Sequence, residues 1–146
     1  MAPKKTDVKR LVKKGLDYYS KGDFGKALHY FNRALKADSK NADLWNNKGI
    51  VLKNMGRLEK SLECYNRAIE LDPGYEDPWY NKGNLLASLG RVEEARECYS
   101  KALEINPYDE DAKANLQWCE EQIKAEESGE PATDEEEEGQ EEETDE

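Results

Sequence analysis

The stretch Leu44-Trp45-Asn46-Asn47-Lys48-Gly49 returns 34 residues later as Pro78-Trp79-Tyr80-Asn81-Lys82-Gly83. At the same displacement Met55-Gly56-Arg57 is followed by Leu89-Gly90-Arg91, and Glu63-Cys64-Tyr65 by Glu97-Cys98-Tyr99. The copies close on Leu71-Asp72-Pro73 and Ile105-Asn106-Pro107. One period earlier stand Lys14-Gly15, Lys21-Gly22, Tyr30-Phe31 and Ala34-Leu35. A fixed period of this length marks a stacked repeat architecture. It divides the chain into units at residues 8–41, 42–75 and 76–109.

Each unit is expected to be two helices. Val51, Leu52 and Met55 follow Trp45 at the three-to-four spacing of a buried helical stripe, and Leu58, Leu62, Tyr65, Ala68 and Ile69 keep it again. Gly22, Gly56 and Gly90 fall between the two stripes, where a tight turn needs a residue free to adopt positive φ. Pro73 and Pro107 mark the step from one unit to the next. Gly15, Gly49 and Gly83 lie inside helical stretches, where glycine costs about 1 kcal/mol against alanine. Recurring at one place in three units, they predict close approach of a neighbour. Small residues form columns at Ala27, Ser61 and Ala95 and at Ala34, Ala68 and Ala102. Trp45, Trp79, Phe31, Tyr65 and Tyr99 are expected to plug the remaining space as core.

These columns resemble the tetratricopeptide repeat family, whose unit has this length and carries Trp, Gly, Ala, aromatic, Ala and Pro at these places. The resemblance covers about 102 residues, most closely in the two later units. It implies an all-α fold: a right-handed α-solenoid of three helix-turn-helix units whose leading helices line a concave groove. Departures are Lys14, Lys48 and Lys82 at a usually aliphatic column, Ser39 for the first closing proline, and Leu11 for tryptophan. The last of these predicts that the first unit is the most loosely packed. A further helix is expected over residues 110–127, with Ala112, Leu116, Cys119 and Ile123 on one apolar stripe. No partner helix follows it, so it is expected to cap the exposed end of the stack.

Composition sets the outer limits. Of 146 residues, 36% are apolar and 38% charged, leaner in apolar side chains than an ordinary globular domain. From Glu126 onward there are 13 acids and no base, so the net charge of −11 belongs to this end. Residues 128–146 are expected to form a disordered acidic tail, too poor in apolar groups to offset the entropy of ordering. Residues 1–7 are expected to be a flexible basic N-terminus, and residues 1–41 carry 11 bases against 4 acids. No run approaches the roughly 20 apolar residues of a membrane helix. Three cysteines without a Cys-x-x-Cys pair and a single histidine make neither a zinc site nor a disulfide framework. The expectation is a cytoplasmic, monomeric protein with reduced thiols and no cofactor, metal or membrane partner.

Function is sought in the groove. Asn47, Asn81 and Asn115 share one column, with Lys13 filling it in the first unit. Packed helices lie about 8–10 Å apart, while an extended peptide advances about 3.3 Å per residue. One amide per three peptide residues therefore fits main-chain contact, although bonding to neighbouring helices explains the column too. The resemblance implies that these asparagines contact a partner peptide, with Asn46, Tyr80 and Asn84 on the same face. One sub-family grips the C-terminal carboxylate of heat-shock chaperones. At its gripping positions this chain has Val12, Leu16, Asn47, Asp77 and Asn81; only Asn47 fits, and Lys9 and Lys13 lie one turn away. Asp43, Asp77 and Asp111 fall in the first turns of helices, where acid complements the macrodipole by about 0.3–1 kcal/mol.

The expected activity is that of a non-enzymatic adaptor binding a peptide or helix of a partner protein, with co-chaperone or assembly factor as the subtype implied by resemblance. The alternative is nucleic-acid binding by the basic first unit, opposed by the acidic tail and by the lack of interleaved aromatics. No nucleophile–base pair or phosphate loop supports catalysis. The tail has two readings, solubility or contact with Lys9, Arg10, Lys13 and Lys14.

Overall fold

The computed structural model describes residues 4–131, which form seven helices and no strand. They are α1 (Lys5–Ser20), α2 (Phe24–Ala37), α3 (Ala42–Asn54), α4 (Leu58–Leu71), α5 (Glu76–Ser88), α6 (Val92–Ile105) and α7 (Glu110–Ser128). Helix α1 starts three residues before the expected unit boundary, so residues 5–7 are helical and not a free N-terminus. Of the expected acidic tail, everything from residue 132 lies outside the described residues.

Local chemistry sets the helix ends. Asp23, Asn41 and Asp109 accept backbone N–H bonds from Lys26, Leu44 and Ala112 and so start α2, α3 and α7. Inside each unit the glycine at position 22, 56 or 90 sits at φ +75°, +76° or +77°. The next residue then donates back to the leading helix at 2.9 Å, in Asp23 to Tyr18, Arg57 to Leu52 and Arg91 to Leu86. This closure needs a left-handed residue, which glycine supplies without a Cβ penalty.

The two helices of a unit meet at the helical glycine. A Cβ built on Gly15, Gly49 or Gly83 would lie 2.7, 2.6 or 2.8 Å from the ring of Phe31, Tyr65 or Tyr99. Those rings are fully buried, and the glycine is what admits them. The first unit, expected to be the loosest, closes this seam as tightly as the others, with Leu11 buried in place of tryptophan. In the second unit Ser61 replaces alanine and donates its hydroxyl to the Gly49 carbonyl at 2.6 Å.

Trp45 and Trp79 are only half-buried, unlike the full core plugs expected. Each indole Nε1–H donates to the carbonyl six residues earlier, of Ser39 at 2.9 Å and of Pro73 at 3.0 Å. They lock the connection entering their unit, and Ser39 accepts the bond as Pro73 does. Successive helices pack pairwise along the chain, and α3 also touches α5. Helix α7 lies on α6, with Ala112 and Cys119 fully buried and Leu116 against the cluster of Leu85, Leu86 and Tyr99. The stack is thereby capped.

Candidate functional site

The leading helices α1, α3, α5 and α7 stand side by side because each follows its predecessor by one repeat. Side-chain bonds join them in a common register. Asn54 Nδ2 on α3 donates to the Tyr19 hydroxyl on α1 at 3.1 Å. Asn81 Nδ2 on α5 donates to Asn46 Oδ1 on α3 at 3.1 Å. Asn115 Nδ2 on α7 reaches the Tyr80 hydroxyl on α5 at 3.5 Å. Every partner lies 35 residues ahead, one repeat and one residue.

Asn115 also donates to Asn84 Oδ1 at 3.2 Å, and the Tyr99 hydroxyl donates to that same oxygen at 2.6 Å. Burial, the main influence, holds the Tyr99 phenol above its ordinary range and keeps it a donor. Asn84 is thus a fixed acceptor that orients Asn115. The asparagines form a connected polar network across α5, α6 and α7 and a second pair across α3 and α5. An amide has four hydrogen-bonding positions, so Asn81 and Asn115, half-buried, keep capacity for a ligand.

Helical geometry at 100° per residue puts Asn46, Asn47 and Ile50 of α3 on one side and Trp45, Lys48 and Leu52 on the opposite one. The first set lies on the side where Asn46 meets Asn81 of α5. Lys9 and Lys13 are exposed, while Asn47, Tyr80, Asn81, Asn84 and Asn115 are half-buried. Asn46 departs from the expected set: it is 3% exposed, because the α3–α5 seam covers it, and its oxygen is taken by Asn81. It positions Asn81 and presents nothing to a ligand.

Sequence reasoning missed the apolar part of this face. Leu16, Ile50, Asn84 and Trp118 share a column at the 34-residue period. Leu16 and Trp118 are 46% and 43% exposed, and Ile50 is half-buried. Trp118 escaped notice because the stripe sought on α7 was the core-facing one; the period itself would have found it. Charge grades across the site. Lys9 and Lys13 mark the α1 end, whereas exposed Asp77 and Asp111 mark the α5–α7 end. Asp43, Asp77 and Asp111 sit in first helical turns as expected, and Asp43 additionally accepts the Tyr75 hydroxyl at 2.8 Å.

The cysteines are free and buried. Burial pushes the Cys64 and Cys98 thiols up to about 11, so neither is a thiolate at neutral pH. Among the described residues no group of His, Cys, Asp or Glu is arranged to hold a metal ion. No helix among them is long and apolar enough to cross a membrane.

Comparison with known proteins agrees with this geometry. The tetratricopeptide repeat model matches residues 42–75 and 77–109, and a second repeat model of the same kind matches residues 15–56. An uncharacterized protein of Methanocaldococcus jannaschii is 45% identical over 41 residues, 28% of this chain. The matched stretch spans about half, 48%, of that relative. Among solved structures, the first such domain of Spaghetti (RPAP3), bound to the HSP90 peptide SRMEEVD, superposes with a TM-score of 0.79 at 21% identity. That match covers 85% of this chain and 98% of the other. The Sgt2 domain from Aspergillus fumigatus superposes with a TM-score of 0.80 at 22% identity, covering 94% and 93%. At these identities the likeness is one of fold. With its repeat columns, seams and cap all accounted for, the chain belongs to the tetratricopeptide repeat family.

Proposed function

We propose that this protein is a non-enzymatic interaction adaptor that holds an extended peptide or a helix of a partner protein in the hollow lined by α1, α3, α5 and α7. The observation carrying this reading is the pairing of oriented amides with exposed apolar groups on one wall. Asn81 and Asn115 are each held by a bond donated to an asparagine of the preceding repeat, and Leu16 and Trp118 are exposed. Preoriented amides lose little entropy when they bond a peptide backbone, and a desolvated tryptophan is a common energetic centre of an interface.

The contact residues on this reading are Lys9, Lys13, Asn47, Tyr80, Asn81 and Asn115, with Asn46 and Asn84 as positioning residues. The charge gradient selects a peptide with acidic residues near α1 and basic ones near α7. A co-chaperone role is supported by the fold shared with the HSP90-peptide complex. The detailed grip differs, because Val12, Leu16 and Asp77 replace the groups that would hold a terminal carboxylate, and Asp77 repels one. An internal segment with an apolar anchor suits the wall better than a free C-terminus.

Nucleic-acid binding through the first unit has less support. Its aromatics Tyr18 and Tyr30 stack on each other at 5.5 Å, and Lys14, Lys21, Lys26 and Arg33 already lie over their faces. Rings so occupied offer no platform for bases. The test is selection of binders from a random peptide library on the full chain, followed by competition with a single-stranded oligonucleotide. Peptides that fail against Trp118→Ala, and that the oligonucleotide leaves bound, support the groove. Binders indifferent to Trp118 would refute it.

A further inference from the structure

Away from the groove, helices α2, α3 and α4 enclose two adjoining clefts of about 570 and 530 Å³. They share Asn32, Trp45 and Lys48, so they form one trough on the side of α3 opposite Asn47. Trp45 forms part of its floor, with the Lys48 ammonium 5.4 Å from the ring centre, and Leu28 and Leu52 contribute apolar wall.

The charge of this trough is one-sided. Arg33, Lys36, Lys48, Arg57, Lys60 and Arg67 line it against the single carboxylate Glu63. Among the described residues only Arg67 of the six is in an ion pair, with Glu70 at 3.0 Å. The protein carries its own control one repeat on. There His29, which also lines the trough, is replaced by Glu63, Lys36 by Glu70 and Lys60 by Glu94, and the corresponding positions hold four carboxylates against four cations. Arg91, one repeat on from Arg57, is clamped by Glu94 at 2.9 and 2.7 Å, and Lys101 by Glu104 at 3.1 Å. The same scaffold therefore accepts a neutral version of this surface, and the first two repeats lack it.

We propose that this outer trough is a second binding site, for an acidic peptide segment, and that its occupant is the far end of the chain's own acidic C-terminal segment, residues 134–146. Those 13 residues hold ten carboxylates and no base. Reach permits the contact. Residues 132–146 span up to about 50 Å when extended. Helices α5 and α6 separate α7 from the trough, a distance on the order of 30 Å at the usual helix spacing. Tethering supplies an effective concentration in the mM range, so a contact too weak to form between separate molecules is held within one. The groove stays open in this arrangement, and the inference stands whether or not a peptide binds there.

The three tryptophans report the alternatives separately, Trp45 in the trough, Trp79 at its neutral counterpart and Trp118 in the groove. The experiment records their indole ¹H–¹⁵N signals in the full chain, in a chain ending at Pro131, and in Lys36→Glu/Lys60→Glu with and without that truncation. The expected result is that truncation moves the Trp45 signal and leaves those of Trp79 and Trp118 in place. Raising salt from ~0.05 to ~0.5 M should reproduce the movement by shortening the Debye length. In the charge-reversed background, which copies Glu70 and Glu94 of the next repeat, truncation should move nothing. A synthetic peptide of residues 132–146 added to the truncated chain should return Trp45 toward its full-chain position. The proposal is overturned if truncation leaves Trp45 unmoved, or if it moves Trp118 instead. A Trp45 position that changes with protein concentration over a roughly tenfold range would also overturn it, since the tail would then occupy a second copy.

Discussion

Asn46 on α3 accepts a hydrogen bond at 3.1 Å from Asn81 on α5, and the two lie 35 residues apart. Tyr19 with Asn54 and Tyr80 with Asn115 repeat that separation. One rule of register thus sets how the leading helices align, and it places the amides that the proposed ligand would meet. Removing the covered member should act at a distance. Asn46→Ala is expected to cost about 1–3 kcal/mol in chemical denaturation, since a buried partner is lost. It should also weaken peptide binding, though Asn46 touches no ligand. A double-mutant cycle with Asn81→Ala should show a coupling of at least about 0.5 kcal/mol.

The glycine seam gives a prediction whose sign is diagnostic. By helix propensity alone Gly49→Ala should stabilise α3 by about 1 kcal/mol. The added methyl would stand 2.6 Å from the Tyr65 ring, so a net loss of about 1–3 kcal/mol is expected instead. In a Tyr65→Leu background the penalty should fall below about 1 kcal/mol, as measured by urea unfolding.

The repeat and its seams were legible in the sequence because period, glycine and aromatic all recur at fixed places. Asn46 was not legible as a buried residue. It and Asn47 are adjacent and of one type, and only the seating of α5 against α3 decides which is covered. The outer trough was hidden for a related reason: its cations come from α2, α3 and α4, so no run or motif gathers them. Lys48, noted only as a departure from the usual aliphatic residue, proves to lie over Trp45.

Trp118 and Trp79 should separate binding from folding. Trp118 is 43% exposed on the cap, whereas Trp79 anchors the connection through its bond to the Pro73 carbonyl. Trp118→Ala should reduce affinity for a selected groove peptide by about 30-fold or more, as for a central interface residue, with the melting temperature within about 2 °C. Trp79→Ala should lower the melting temperature by about 5 °C or more, in line with a loss of about 3 kcal/mol. Calorimetry of both variants checks the pair.

Where α5 meets α7, acidity is shared between two carboxyls. Burial first, and then the hydrogen bond with Asp109, raise the Glu76 carboxyl above its ordinary range, while that bond to Glu76 lowers Asp109. A raised Glu76 is stabilising when protonated, and that contribution is lost as pH rises through its folded-state value. Glu76→Gln keeps a donor without the charge. It should raise the melting temperature by about 2–4 °C at pH 7.5. The gain should shrink as pH is lowered and the parent carboxyl takes up its proton.

The most direct measurement takes the tightest peptide selected on the full chain and determines its affinity for Asn47→Ala/Asn81→Ala beside the parent, with melting curves for both. A groove that binds through its amide column predicts at least about a tenfold loss of affinity, or about 1.4 kcal/mol, with little change in melting temperature. Equal affinity for the two proteins would contradict it.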